Sequence, residues 1–100
     1  MSYLKSLFSL DNKISIVTGS ARGNGKAIAE ALLRSGSIVI MIDILKKELL
    51  QTEKEFLSEN LPAVSYVCDI TKKDQILKLG KYIGKKFGRL DILINNAGIS

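Results

Sequence analysis

The residues best suited to chemistry are Thr18-Gly19-Ser20-Ala21-Arg22-Gly23-Asn24-Gly25, a segment with glycine at Gly19, Gly23 and Gly25. It follows a β-branched run, Ile14-Ser15-Ile16-Val17-Thr18, and opens a stretch of helical spacing. A diphosphate needs backbone N–H groups at close range, and a helix N-terminus supplies them together with a favourable dipole. A Cβ at the turn would block that approach, so glycine suits these positions. The plainer reading is an ordinary glycine turn; the strand before it and the helix after it favour the phosphate cradle. Asp43 closes the next apolar run, 18 residues beyond Gly25. A carboxylate there would accept hydrogen bonds from both ribose hydroxyls of an adenosine and repel a 2′-phosphate. A helix N-terminal acidic residue is the alternative for Asp43. Arg22 would suit a 2′-phosphate, yet a carboxylate at the strand end favours NAD(H) over NADP(H).

A rival nucleotide loop fails on spacing. Gly25-Lys26 evokes G-x-x-x-x-G-K followed by Ser or Thr, the triphosphate loop. Here five residues separate Gly19 from Gly25, one too many, and Ala27 stands where the Mg²⁺-binding hydroxyl belongs. With one cysteine, Cys68, and no histidine, a disulfide within the chain is impossible and a zinc site lacks ligands. Cys68 sits in an apolar run and reads as a small core residue.

Alternating short apolar runs and longer periodic segments must position the loop. Ile14–Thr18 is the first strand. From Lys26 to Arg34, Ile28, Ala31 and Leu32 recur at helical spacing, and Gly36 supplies the left-handed residue that ends a helix. Ser37 to Ile42 is a second strand. Leu45 to Leu57 is a helix with Leu49 and Phe56 on one side, broken by Asn60 and Pro62. Ala63 to Cys68 is a third strand. Thr71 with Asp74 three residues on resembles a capping box for a third helix, whose buried stripe is Ile76, Leu79, Ile83 and Phe87 before Gly88. Leu90 to Ile94 is a fourth strand. The order β-α-β-α-β-α-β, with strands apolar throughout, predicts an α/β fold with a parallel sheet covered on both faces. Right-handed crossovers make a partial doubly wound Rossmann fold, strand order 3-2-1-4, the simplest topology.

At 100 residues, with 46% hydrophobic and 25% charged residues, the chain is one small domain or part of one. The net charge of +5 comes largely from Lys72, Lys73, Lys78, Lys81, Lys85, Lys86 and Arg89, along one predicted helix and its exit. This reads as a solvated face, with no aromatics interleaved as a base-stacking surface requires, so no nucleic-acid partner is expected. Met1 to Leu10 lacks the continuous apolar block of a signal peptide, and no stretch is long enough to span a bilayer. A cytoplasmic location and no membrane partner are the expectations.

Asn95-Asn96-Ala97-Gly98 after an apolar strand, with the Thr18 to Gly25 loop and Asp69 at the end of strand three, resembles the short-chain dehydrogenase/reductase family. The T-G-x-x-x-G-x-G spacing is similar to its compact, single-domain branch, and the resemblance runs from about Leu10 to Ser100. It implies that the chain is the N-terminal part of one dinucleotide-binding domain. Gly19, Ser20, Ala21, Arg22, Gly23, Asn24 and Gly25 would wrap the pyrophosphate, and Asp43 would hold the adenosine ribose. Asp69 and the backbone of Ile70 would contact adenine. Asn96, Ala97 and Gly98 would lie against the cofactor, and Asn95 would tie neighbouring strands. Asn24 departs from the family, which more often has Ile there.

The resemblance further implies hydride transfer between a nicotinamide and a secondary alcohol or ketone, such as a 3-oxoacyl thioester, a sugar acid or a polyol. A small-molecule substrate and a homodimer or homotetramer are implied for the complete protein. The family's catalytic Ser and Tyr-x-x-x-Lys lie downstream of N-N-A-G, so no catalytic residue is expected here and the chain alone is expected to be inactive. Its last strand would form an open, aggregation-prone edge. A non-catalytic dinucleotide-binding module and a nonfunctional fragment are the alternatives. Tyr82 and Lys86 have the catalytic spacing but precede strand four, away from the nicotinamide. Tyr82→Phe in the intact protein is therefore expected to leave turnover nearly unchanged, measured as steady-state kcat; a collapse would make Tyr82 catalytic.

Overall fold

In a computed structural model, residues 9–97 are described. Met1 to Phe8, most of the segment read above for a signal peptide, and Gly98 of the N-N-A-G motif lie outside them. The elements are β1 (Ile14–Thr18), α1 (Gly23–Arg34), β2 (Ile38–Asp43), α2 (Lys46–Ser58), β3 (Ala63–Val67), α3 (Lys73–Lys86) and β4 (Ile92–Ile94). All pairings are parallel, in the order β3-β2-β1-β4. The doubly wound α/β arrangement expected from the sequence is the one observed.

The strands are apolar on both faces because both faces are covered. Val17, Val39, Met41 and Ala63 pack against Ala29 and Leu33 of α1 and Leu49 and Phe56 of α2. Their strand neighbours Ile14, Ile16, Ile40 and Ile42 pack on the opposite side against Leu79 and Ile83 of α3. β1 lies between β2 and β4, so Thr18 comes level with Ile42, and Val17 with Ile94. On the first face Ser15 and Ser37 are fully buried with their hydroxyls 2.6 Å apart.

The helices stop where the chain can turn left-handed. Gly36 (φ +104°) follows α1, and the N–H groups of Gly36 and Ser37 reach back to Leu33 and Leu32 C=O. Asn60 (φ +62°) plays the same part after α2, with Asn60 and Leu61 N–H bonding to Leu57 and Phe56 C=O. Both are Schellman endings, which satisfy carbonyls that would otherwise be orphaned.

Some expectations need correction. α1 begins at Gly23 rather than Lys26, and its buried residues are Gly25, Ala29 and Leu33; Ile28 and Leu32 are half-buried and Ala31 is exposed. The buried face is thus turned by one residue from the face expected. Ile76 of α3 is 45% exposed, because packing on that side rests on Leu79, Tyr82, Ile83 and Phe87, a turn further along. The Thr71–Asp74 capping box does not form. Asp69 captures both the N–H (2.9 Å) and the hydroxyl (2.6 Å) of Thr71, and α3 starts after Lys72 with no side-chain cap. The basic stretch does contain aromatics: Tyr82 stacks with Tyr66 at 4.8 Å and meets Phe87 edge-on at 6.2 Å. These rings are half-buried among one another, and Lys86 lies 5.6 Å over Tyr82.

β4 is shorter than expected, and Asp91 extends its pairing. Asp91 N–H donates to Ile14 C=O (2.8 Å), while its carboxylate accepts from Ile14 N–H (2.8 Å) and from the Arg89 guanidinium (3.0 Å). Among the described residues β4 has one neighbour, β1, and Leu93 is 60% exposed. The bond from Ile14 N–H, then the Arg89 pair, holds the Asp91 carboxyl below the usual carboxylate range. A depressed folded pKa gives stabilisation that is present above the unfolded value of about 3.9 and is lost as pH falls through the folded value. Asp91→Ala is therefore expected to lower the urea midpoint at about pH 7 and to match the parent once pH is well below that range. A gap that persists unchanged in acid would show that the carboxylate is not its source.

Candidate functional site

The ends of β1, β2 and β4 and the start of α1 meet at the C-terminal edge of the sheet, where open α/β sheets bind ligands. Gly19 (φ +62°) and Gly23 (φ +60°) bracket the loop in conformations that disfavour other residues. A Cβ on Gly25 would sit 1.9 Å from Gly19 C=O and 2.7 Å from Asn96 Nδ2, so only glycine lets α1 come so close to the loop. A Cβ on Gly23 would meet nothing within 4 Å, because the backbone there faces open space. The first hydrogen bond of the helix turn runs from Lys26 N–H to Arg22 C=O (3.3 Å), and no side chain caps the N-terminus. Among the described residues the amides of Gly23, Asn24 and Gly25 have no hydrogen-bond partner, and those of the exposed Gly23 and Asn24 are open to an anion.

Two adjoining hollows lie over this edge. One of about 450 Å³ is bordered by Arg22, Gly23, Asn24, Leu45 and Asn96. The other, about 250 Å³, is bordered by Ile42, Cys68, Asp69, Ile70 and Thr71. Gly19, Asp43, Ile44 and Ala97 line both. Of the residues singled out from the sequence, Gly19, Arg22, Gly23, Asn24, Asp43, Asn96 and Ala97 thus surround one opening, and Asp69 and Ile70 border its neighbour. Ser20 and Ala21 border neither: both are buried behind the loop. Gly25 acts through close packing.

Asp43 does more than face the hollow. Its Oδ2 accepts from Ala21 N–H and its Oδ1 from Leu45 N–H, each at 3.0 Å, which joins the glycine loop to the turn before α2. A carboxylate has lone pairs to spare after two such bonds. Asp69 is held below the usual carboxylate range by the Thr71 hydroxyl and N–H, so it stays charged at neutral pH. Cys68 behaves oppositely. Burial, and then the charges of Asp69 and Asp74, push its thiol up, which leaves it a protonated wall residue. Arg22 is exposed and makes no ion pair among the described residues.

The hydroxyl of Thr18 is a site group that the sequence pattern did not single out. It accepts from Asn96 N–H (2.8 Å) and Ala97 N–H (3.0 Å) and lies 3.1 Å from Asn95 Oδ1. Asn96 Nδ2 donates to Gly19 C=O at 3.3 Å. The chain leaving β4 is thereby fastened to the chain leaving β1, and Asn95 does tie the two strand ends together. The signal for Thr18 in the sequence was a hydroxyl-bearing residue at the last position of the strand, next to the first loop glycine.

The family model for short chain dehydrogenases matches residues 13–100, and the chain belongs to that family. A diacetyl reductase, (S)-acetoin forming, of Staphylococcus epidermidis is 42% identical over 88 residues, which is 88% of this chain and 34% of the relative. The crystal structure of 2-keto-3-deoxy-D-gluconate dehydrogenase from Streptococcus agalactiae superposes with a TM-score of 0.88 at 35% identity, over 99% of this chain and 37% of that one. A Pseudomonas aeruginosa RhlG/NADP active-site complex gives 0.84 at 34% identity, over 93% and 37%. The chain spans about a third of the length of the relatives it matches.

Two glycine substitutions separate packing from ligand access. Gly25→Ala forces Cβ onto backbone and is expected to lower the thermal midpoint by several degrees or more. Gly23→Ala meets no atom and should cost only about 1–2 kcal/mol for its left-handed backbone, while placing a methyl at the cradle and weakening dinucleotide binding. Equal stability losses, measured by thermal denaturation, would contradict this assignment of roles.

Proposed function

We propose that this chain is the dinucleotide-binding part of an NAD(H)-dependent oxidoreductase acting on a secondary alcohol or a ketone. The observation that carries the reading is the pair of free amides at Gly23 and Asn24, opening onto a hollow that Asp43 borders. These amides would receive the pyrophosphate, with the dipole of α1 behind them. Asp43 keeps acceptor capacity for two ribose hydroxyls after bonding Ala21 and Leu45. Asp69 and Ile70 border the second hollow, where an adenine would lie. Asn96 and Ala97 would flank the cofactor on the β4 side, packed so closely on the loop that a Cβ on Gly19 would lie 3.1 Å from Ala97 Cα. Gly98, outside the described residues, belongs to the same proposal. A bound nicotinamide would supply the hydride acceptor or donor; these residues would bind and orient it.

Residues 1–100 would then be the N-terminal part of one Rossmann domain, in a protein that assembles as a dimer or tetramer and works in the cytoplasm. The catalytic Ser and Tyr-x-x-x-Lys would follow in chain order. The names of the relatives, a diacetyl reductase and a 2-keto-3-deoxy-D-gluconate dehydrogenase, favour small carbonyl or polyol substrates. One observation supports a second reading, NADP(H): the unpaired Arg22 borders the same hollow as Asp43, where a 2′-phosphate would sit.

Fluorescence titration of the intact protein decides between them. NADH is expected to bind at least about tenfold more tightly than NADPH, and Asp43→Ala should narrow that ratio. A preference for NADPH would shift the assignment to the Arg22 reading. Binding of neither would remove the dinucleotide function.

A further inference from the structure

Within the glycine loop, the N–H groups of Ser20 and Ala21 are held from the end of β2. Ser20 N–H and Oγ both bond to Ile42 C=O (3.2 and 3.3 Å), and Ala21 N–H bonds to Asp43. Arg22, Gly23 and Asn24 are exposed. The other side of Ala21 is gripped from a different element. Thr52, in α2, donates its hydroxyl to Ala21 C=O at 2.6 Å.

The position of Thr52 is unusual for a polar residue. It is 3% exposed and falls between Leu49 and Phe56 on the stripe of α2 that packs against the sheet. Core packing alone asks for an apolar side chain there, and a buried hydroxyl is costly unless bonded. The bond it makes fixes the peptide joining Ala21 to Arg22. In a trans peptide the C=O and N–H point in opposite directions. Gripping the C=O from α2 therefore turns the Arg22 N–H away from α2, and it does so at the residue that caps α1. Lys26 and Glu55 bridge the same two helices at 2.7 Å, but this pair is exposed and contributes little.

We propose that Thr52 is a positioning residue for dinucleotide binding: its hydroxyl sets the peptide plane ahead of α1 and so the aim of the amides that receive the pyrophosphate. This rests on the dinucleotide reading given above. Three side chains then hold the loop from behind: Thr52 and Asp43 hold the Ala21 backbone, and Ser20 anchors to β2.

The test compares Thr52→Val, nearly the same shape without the hydroxyl, with Thr52→Ser, which keeps it. NADH dissociation constants of the intact protein are measured by fluorescence, alongside thermal midpoints. Thr52→Val is expected to weaken NADH binding about tenfold while Thr52→Ser stays within about twofold of the parent. If Thr52→Val does not fold, Thr52→Ala removes the same hydroxyl and is read in the same way. A variant that loses thermal stability but binds NADH as the parent does would reduce Thr52 to a structural residue and overturn the proposal. So would a Thr52→Ser that binds as weakly as Thr52→Val, since packing of the methyl would then be the cause. A parent that binds no NADH would overturn the dinucleotide reading itself and this proposal with it.

Discussion

The site depends on a backbone-to-backbone approach that admits no side chain. Gly25 brings the first turn of α1 against Gly19 C=O and the Asn96 amide, where a Cβ would be 1.9 and 2.7 Å from its neighbours. A helix start carries its free amides only as far as its own packing allows, so this closeness brings them to the ends of β1 and β4. A larger residue at this point would push α1 outward and carry the free N–H groups with it. The openness at Gly23 complements the tightness at Gly25: one glycine serves packing and the other serves access.

A small number of polar groups keep this geometry in an otherwise apolar setting. Thr18 gathers the chain leaving β4, Asp43 joins the loop to the start of α2, and Thr52 grips the loop from the side. Each joins backbone of one strand–loop unit to a side chain of another, in partly or fully buried surroundings where an unmet hydrogen bond is costly. Family membership follows from the chain's similarity to known short chain dehydrogenases, and the local physics explains why these residue types occupy these places.

The fold was legible because the two covered faces of a parallel sheet leave a simple record: short, mainly apolar runs rich in Ile and Val, separated by amphipathic segments. The loop was legible because glycines at this spacing, between strand and helix, have few other uses. What escaped the sequence depends on tertiary contact. The buried face of α1 is set by where Ala29 and Leu33 meet the sheet, and periodicity could not choose it over Ile28 and Leu32. The cap of α3 was lost to Asp69, a competitor two residues from Thr71 that the box pattern does not include. Thr18 and Thr52 gave weak signals: a Thr closing a strand looks like a tolerated β-branched residue, and one among Gln51, Glu53 and Lys54 looks like part of a solvated helix face, until the partner is known.

The Ser15–Ser37 pair has a consequence at the opposite end of the sheet. When both faces of a strand are oily, sliding it by one position exchanges one greasy surface for another, and hydrophobicity alone scarcely objects. The two hydroxyls do object: such a slide would part Ser15 Oγ from Ser37 Oγ, and Ser37 Oγ from Lys13 C=O, at a buried site where a lost hydrogen bond is costly. A pair of small polar groups at the foot of β1 and β2 thus acts as a detent, and by locking the strands there it sets how the loop and Asp43 line up at the top.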